Sequence, residues 1–196
     1  MTHKKRQIAP PVRLFRIIGA LATLLVWTVA CAPTPGFAPG SSTLLTELEQ
    51  AEVRVAVLLE RGQAGDFVLA ATFTPLRPGF HLYSKDIPET GINHVGRPTR
   101  LSLPEDSPLQ ASGPLSASLP PQTPSVDPRE LLVYPPGPVT LRLPVQLPAG
   151  DQPQTVEIRL SYMSCNGKTC LRPVLQKPVS IQIPGAGQIP PVEASP

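Results

Sequence analysis

Cysteine is scarce in this chain: it occurs only at positions 31, 165 and 170, and histidine only at 3, 81 and 94. A structural zinc site needs four ligands, and no second cysteine pair or histidine pair accompanies Cys165 and Cys170, so zinc binding is disfavoured. No Ser-His-Asp set, paired-carboxylate signature or glycine-rich phosphate loop stands out, which leaves hydrolase and kinase chemistry without support. There is no convincing long helix and no internal repeat. The uncharged, mostly apolar run Ile17–Ala30 is fourteen residues long, short of the roughly 20 that a helical membrane span requires.

That run has a different meaning. The sixteen residues before it carry Lys4, Lys5, Arg6, Arg13 and Arg16 and no acid, so basic and apolar regions follow one another as in a secretory signal. Thr28-Val29-Ala30-Cys31 is similar to a bacterial lipobox, with Thr28 in place of the usual Leu, which makes residues 1–30 a lipoprotein-type signal and Cys31 the lipid attachment point. An ordinary cleaved signal and an uncleaved anchor are the alternatives. Five of the 17 basic residues and none of the 14 acids fall in the signal; the remaining 12 against 14 leave a net charge of −2. The basic balance of the whole chain therefore belongs to the signal, and nothing suggests nucleic-acid binding.

Residues 31–50, rich in Pro and Gly at their start, read as a flexible tether, with a short helical turn over Leu44–Gln50. Strands dominate from there. Val53, Val55 and Val57 alternate with polar or small residues, Gly62–Asp66 suits a turn, and Phe67, Leu69, Ala71 and Phe73 alternate again before Pro75. Phe80–Ile87 and Thr99–Leu103 are further candidates. Ten prolines between Pro104 and Pro138 disfavour a regular ladder there. Val139, Leu141, Leu143, Val145 and Leu147 give the cleanest alternation, Val156 to Tyr162 another, and Val179, Ile181 and Ile183 a last strand before a loose tail over 184–196. The fold class expected is all-β: a single β-sandwich over residues 51–183 with one long Pro-rich connection.

Cys165 and Cys170 flank an Asn-Gly dipeptide, a tight-turn signal because both residues tolerate positive φ. Cysteines facing each other near such a turn can reach the Cα separation of a disulfide. A structural bond is the plainer reading, although a ring this small stabilises by only about 2 kcal/mol. A redox-active pair is the sharper one: Arg159, Lys168 and Arg172 surround it without a carboxylate, and positive neighbours favour the thiolate that performs exchange. The residues by themselves favour the structural bond.

Tyr162-x-x-Cys165-x4-Cys170-x-x-Pro173 after an alternating strand resembles the N-terminal periplasmic domain of the thiol:disulfide interchange protein DsbD. Gly79-Phe80-His81-Leu82-Tyr83-Ser84-Lys85, and Tyr134 followed by Val139-Thr140-Leu141-Arg142-Leu143-Pro144-Val145, are similar in the same order. The resemblance spans roughly Ala51–Ile183. It implies an immunoglobulin-like sandwich with its redox pair at one end, passing electrons to or from exported thioredoxin-like proteins, with the second cysteine, here Cys170, forming the mixed disulfide. It shifts the balance to a redox role for Cys165 and Cys170, with Lys168 and Arg172 as pKa-tuning neighbours.

The chain departs from that family in three ways. No stretch corresponds to the family's membrane electron channel or thioredoxin-like domain, so a separate membrane protein is expected to supply electrons. The family's cap loop bears aromatic residues, whereas Pro124–Leu132 has none and a cap here would rest on Leu131, Leu132 or Tyr134. Some members place a carboxylate near the pair, where this chain has Lys168 and Arg172. Tyr83 and Tyr162 read as core aromatics, and His81 as a packed histidine. The expectation is an exported protein lipid-anchored at the outer face of a bacterial membrane, with no cofactor or metal. The competing one is a non-catalytic immunoglobulin-like binding lipoprotein with a structural disulfide.

Overall fold

The computed structural model describes residues 40–62 and 64–189, all within one compact unit. The expected signal, the lipid site at Cys31 and the tether's first nine residues lie outside them. Eleven strands run in chain order: β1 Ser42–Gln50, β2 Val53–Arg61, β3 Phe67–Pro75, β4 His81–Leu82, β5 Arg100–Ser102, β6 Gln110–Ala111, β7 Ser116–Ala117, β8 Val139–Gln146, β9 Gln154–Tyr162, β10 Ser164–Cys165 and β11 Val174–Ile183. Among the described residues the only helical piece is a 3-10 turn at Ala186–Gln188.

The larger sheet has the order β1-β2-β3-β8-β6, with β7 also on β8; the smaller is β11-β9-β5, and β10 pairs with β4 in a separate ribbon. All pairings within these sheets are antiparallel. Alternation decides which face is buried. Val53, Val55, Val57 and Leu59 of β2 are buried with Leu69, Ala71 and Phe73 of β3 and Val139, Leu141, Leu143 and Val145 of β8. Val156, Ile158, Leu160 and Tyr162 of β9 and Ile181 and Ile183 of β11 complete the same core from the smaller sheet. This is an immunoglobulin-like sandwich. Phe73 meets Tyr162 edge-on at 5.5 Å between ring centroids. Burial pushes the Tyr162 phenol up to about 12, so it remains protonated and donates to the Gln50 carbonyl at 3.1 Å.

Two expectations are corrected. Residues 42–50 are an edge strand, not tether or helical turn. Leu45 and Leu48 both pack against the core although they are three apart, a spacing that looks helical. A bulge between Leu44 and Thr46 changes the phase of β1 and lets both residues lean inward. The tail is also less loose than expected: the Ala186 N–H donates to Pro148 O at 3.0 Å, the Gly187 N–H to Gly150 O at 3.0 Å, and Ile189 packs on the core. The Pro-rich connection is irregular except for β6, β7 and the Gln122–Val133 bridge, and Leu109 anchors it in the core.

The registers give the sandwich two distinct ends. Ser42, Arg61, Phe67, Val145, Gln154 and Ile183 lie at one; Gln50, Val53, Pro75, Val139 and Tyr162 lie at the other. The described chain enters and leaves at the first end, and β9 delivers the cysteine hairpin to the second.

Candidate functional site

Beyond Tyr162 the chain becomes β10, which pairs with β4 so that Ser164 faces Leu82 and Cys165 faces His81. It then turns back on itself. The Asn166 N–H donates to Thr169 O at 2.9 Å and the Leu171 N–H to Ser164 O at 2.9 Å, leaving Cys165 and Cys170 directly opposite each other between those two bonds. Their Cα atoms are 4.1 Å apart and their sulfurs are bonded at 2.00 Å.

The turn works differently from the sequence expectation. Neither Asn166 nor Gly167 adopts positive φ. Instead Asn166 Oδ1 accepts the Lys168 N–H at 2.9 Å and the Thr169 N–H at 2.8 Å. Asn is favoured at this first turn position because its side chain can satisfy the turn's own donors.

The two sulfurs have different surroundings. β10 runs between β4 and the returning chain, and Cys165 is 1% exposed. It belongs to a small second cluster with Tyr83, Ile87 and Leu131, flanked by Ile92, Leu132, Val133 and Met163. Cys170 lies on the outer side and is exposed. Of the two cysteines, Cys170 is therefore the one open to a nucleophile from solvent. Lys168 and Arg172 are both exposed on the hairpin.

Tyr83 is the residue whose place the sequence reading missed. It is buried, as expected, but in the cluster around the disulfide and not in the main core. Its hydroxyl lies 3.8 Å from Cys170 Sγ. A disulfide sulfur carries no hydrogen, so the phenol is the donor. Burial pushes its pKa up, which keeps that proton on the oxygen. The His81 ring stands edge-on to Tyr83 at 5.7 Å, and burial pushes the imidazole pKa down, favouring its neutral form. The signal available beforehand was alternation: His81 and Tyr83 share one strand face, and Leu82 turns the other way into the core.

Backbone contacts fix the tyrosine. The Thr99 hydroxyl donates to Tyr83 O at 2.8 Å, and Tyr83 bridges both Pro98 and Val133. Gly96, at φ +76°, packs so close that a Cβ there would lie 2.7 Å from Leu131 Cδ1 and 3.1 Å from Tyr83 Cε1. Arg97 Nη1 ties the preceding loop together by donating to Thr90 O at 2.9 Å and His94 O at 3.1 Å. Of the three cap candidates, Leu131 lies in the disulfide cluster and Leu132 packs against it, whereas Tyr134 is in the main core and its hydroxyl accepts the Lys85 N–H at 3.1 Å.

Among the described residues no group of three or more His, Cys, Asp or Glu could hold a metal ion, and no helix is long and apolar enough to cross a membrane. Compared with known proteins, the chain matches no family model, no curated sequence and no solved structure.

Proposed function

We propose that the protein is a thiol–disulfide exchange domain that works through Cys165 and Cys170, as the resemblance to the DsbD N-terminal domain implies, in an exported, lipid-anchored form held by Cys31. The observation that carries this reading is the unequal burial of the two cysteines, Cys165 in an apolar cluster and Cys170 exposed with its sulfur beside a phenol donor. Exchange needs a sulfur that an incoming thiolate can reach and a second sulfur that leaves and can return.

The chemistry balances without a cofactor. A partner thiolate attacks Cys170 Sγ, the Cys165–Cys170 bond breaks, and its electron pair leaves on Cys165 Sγ, which takes a proton. The partner's second thiol, deprotonated, then attacks the partner sulfur of the mixed disulfide and releases Cys170. Two electrons and two protons have passed from the partner dithiol to this pair. Run in reverse, the same steps reduce a partner, so thioredoxin-like exported proteins fit on either side of the relay and a separate membrane protein fits as donor. The Tyr83 hydroxyl is placed to hydrogen-bond the Cys170 thiolate as it forms or departs.

Single-cysteine variants test the proposal. Cys165→Ala should form a mixed disulfide with an added thioredoxin-like protein through Cys170, and Cys170→Ala should form little because Cys165 is buried. Equal trapping by both variants would reject the assignment of roles. Trapping by neither would leave the pair a structural disulfide.

A further inference from the structure

A groove of ≈ 480 Å³ opens next to the cysteine hairpin, lined by Gln50, Ala51, Arg172, Pro173, Val174, Leu175 and Lys177. Arg172 is two residues beyond Cys170, so the Cα atom of this lining residue lies within about 7 Å of the Cys170 Cα. Three features distinguish it from ordinary surface. A bulge between Val174 and Lys177 breaks the register of β11, with Gln176 at φ 47° and its N–H held by Ser161 Oγ at 2.9 Å. Bulges of this kind re-aim side chains beside functional sites. Here the bulged segment carries Leu175, 57% exposed. Arg172 and Lys177 flank it, and neither forms an ion pair among the described residues. Finally, from Ile158 to Val192 the sequence has four cations and no carboxylate.

We infer that this groove docks an acidic segment of the exchange partner, its carboxylates meeting Arg172 and Lys177 and an apolar side chain covering Leu175. The identity of the occupant as an exchange partner rests on the function proposed above; the groove's preference for acidic, apolar sequence does not. The chain's own ends are poor occupants. The described chain enters and leaves at the opposite end of the sandwich, and outside the described residues the sequence offers only the Glu193 side chain to meet the two cations. Docking at this site would hold a partner cysteine near Cys170 while leaving the sulfur itself uncovered.

The test uses dye-labelled, thiol-free peptides and the full-length oxidised protein, read by fluorescence anisotropy, so that no exchange can occur. Glu-Glu-Leu-Gly-Ser should bind about ten-fold more tightly than Lys-Lys-Leu-Gly-Ser at low salt, as two charge contacts at a protein surface allow. Arg172→Gln with Lys177→Gln should abolish that preference, while Lys168→Gln, on the turn and outside the groove, should preserve it. Leu175→Ser should remove the advantage of Glu-Glu-Leu-Gly-Ser over Glu-Glu-Ser-Gly-Ser. Equal binding of the acidic and basic peptides, no binding of either, or full preference in the double variant would overturn the inference. Acidic-peptide binding that behaves as expected, combined with failed trapping by both cysteine variants, would keep the groove and reject the exchange function.

Discussion

Tyr83 supplies a hydroxyl contact to the disulfide that the sequence could not reveal. Its partner, Cys170, is 87 residues away, and only the pairing of β4 with β10 brings the two together. The local pattern did indicate that Tyr83 packs in a strand; which cluster it joins depends on long-range register. In the reduced protein the same hydroxyl should donate to the Cys170 thiolate. Hydrogen bonds to charged groups contribute about 1.5–3 kcal/mol when well formed, and less near solvent. Tyr83→Phe should therefore raise the Cys170 thiol pKa by up to about one unit. The sign follows from losing a donor that favours the charged form. Alkylation rate against pH, measured on the reduced protein, would show the shift; superimposable profiles for parent and variant would remove Tyr83 from the mechanism.

The cysteine hairpin shows how a local signal can locate an element and mistake its mechanism. Asn-Gly marked the turn correctly, but the structure relies on the Asn166 side chain and not on left-handed backbone. The two readings predict opposite sensitivities. Asn166→Ala should destabilise the protein by about 1 kcal/mol, by removing the acceptor for two turn N–H groups. Gly167→Ala should change stability by less than about 0.5 kcal/mol, because a Cβ there would meet nothing within 4 Å and the backbone needs no positive φ. Urea unfolding of both variants measures this directly, and a costly Gly167→Ala with a neutral Asn166→Ala would reverse the assignment. The same limit explains β1. Uninterrupted alternation made β2, β3, β8 and β9 legible, whereas the bulge at Leu44/Thr46 hid the period of the edge strand. β6 and β7, two residues each, are too short to carry a period.

At the scale of the molecule, nine-residue β1 and β2 separate the chain's entry from the cysteine end by about 30 Å. If Cys31 carries lipid, the mature protein should partition into detergent with a mass increase on its N-terminal peptide. Cys31→Ser should release or misprocess it and leave the Cys165–Cys170 bond intact. A free Cys31 thiol in the exported protein would contradict the anchor. The all-β sandwich was legible from alternation and proline placement alone. The role of the disulfide was not, since the cysteine spacing and the turn residues suit a structural bond and an exchanging one alike. The central claim, that this bond exchanges electrons, is tested most directly by its reduction potential, from equilibrating the purified protein with thioredoxin or dithiol buffers and quantifying free thiols. Structural disulfides of secreted proteins lie below about −300 mV and exposed, labile ones higher. The account predicts a value above about −300 mV, within reach of thioredoxin-like partners; a value well below it would mark the bond as structural and contradict the exchange function.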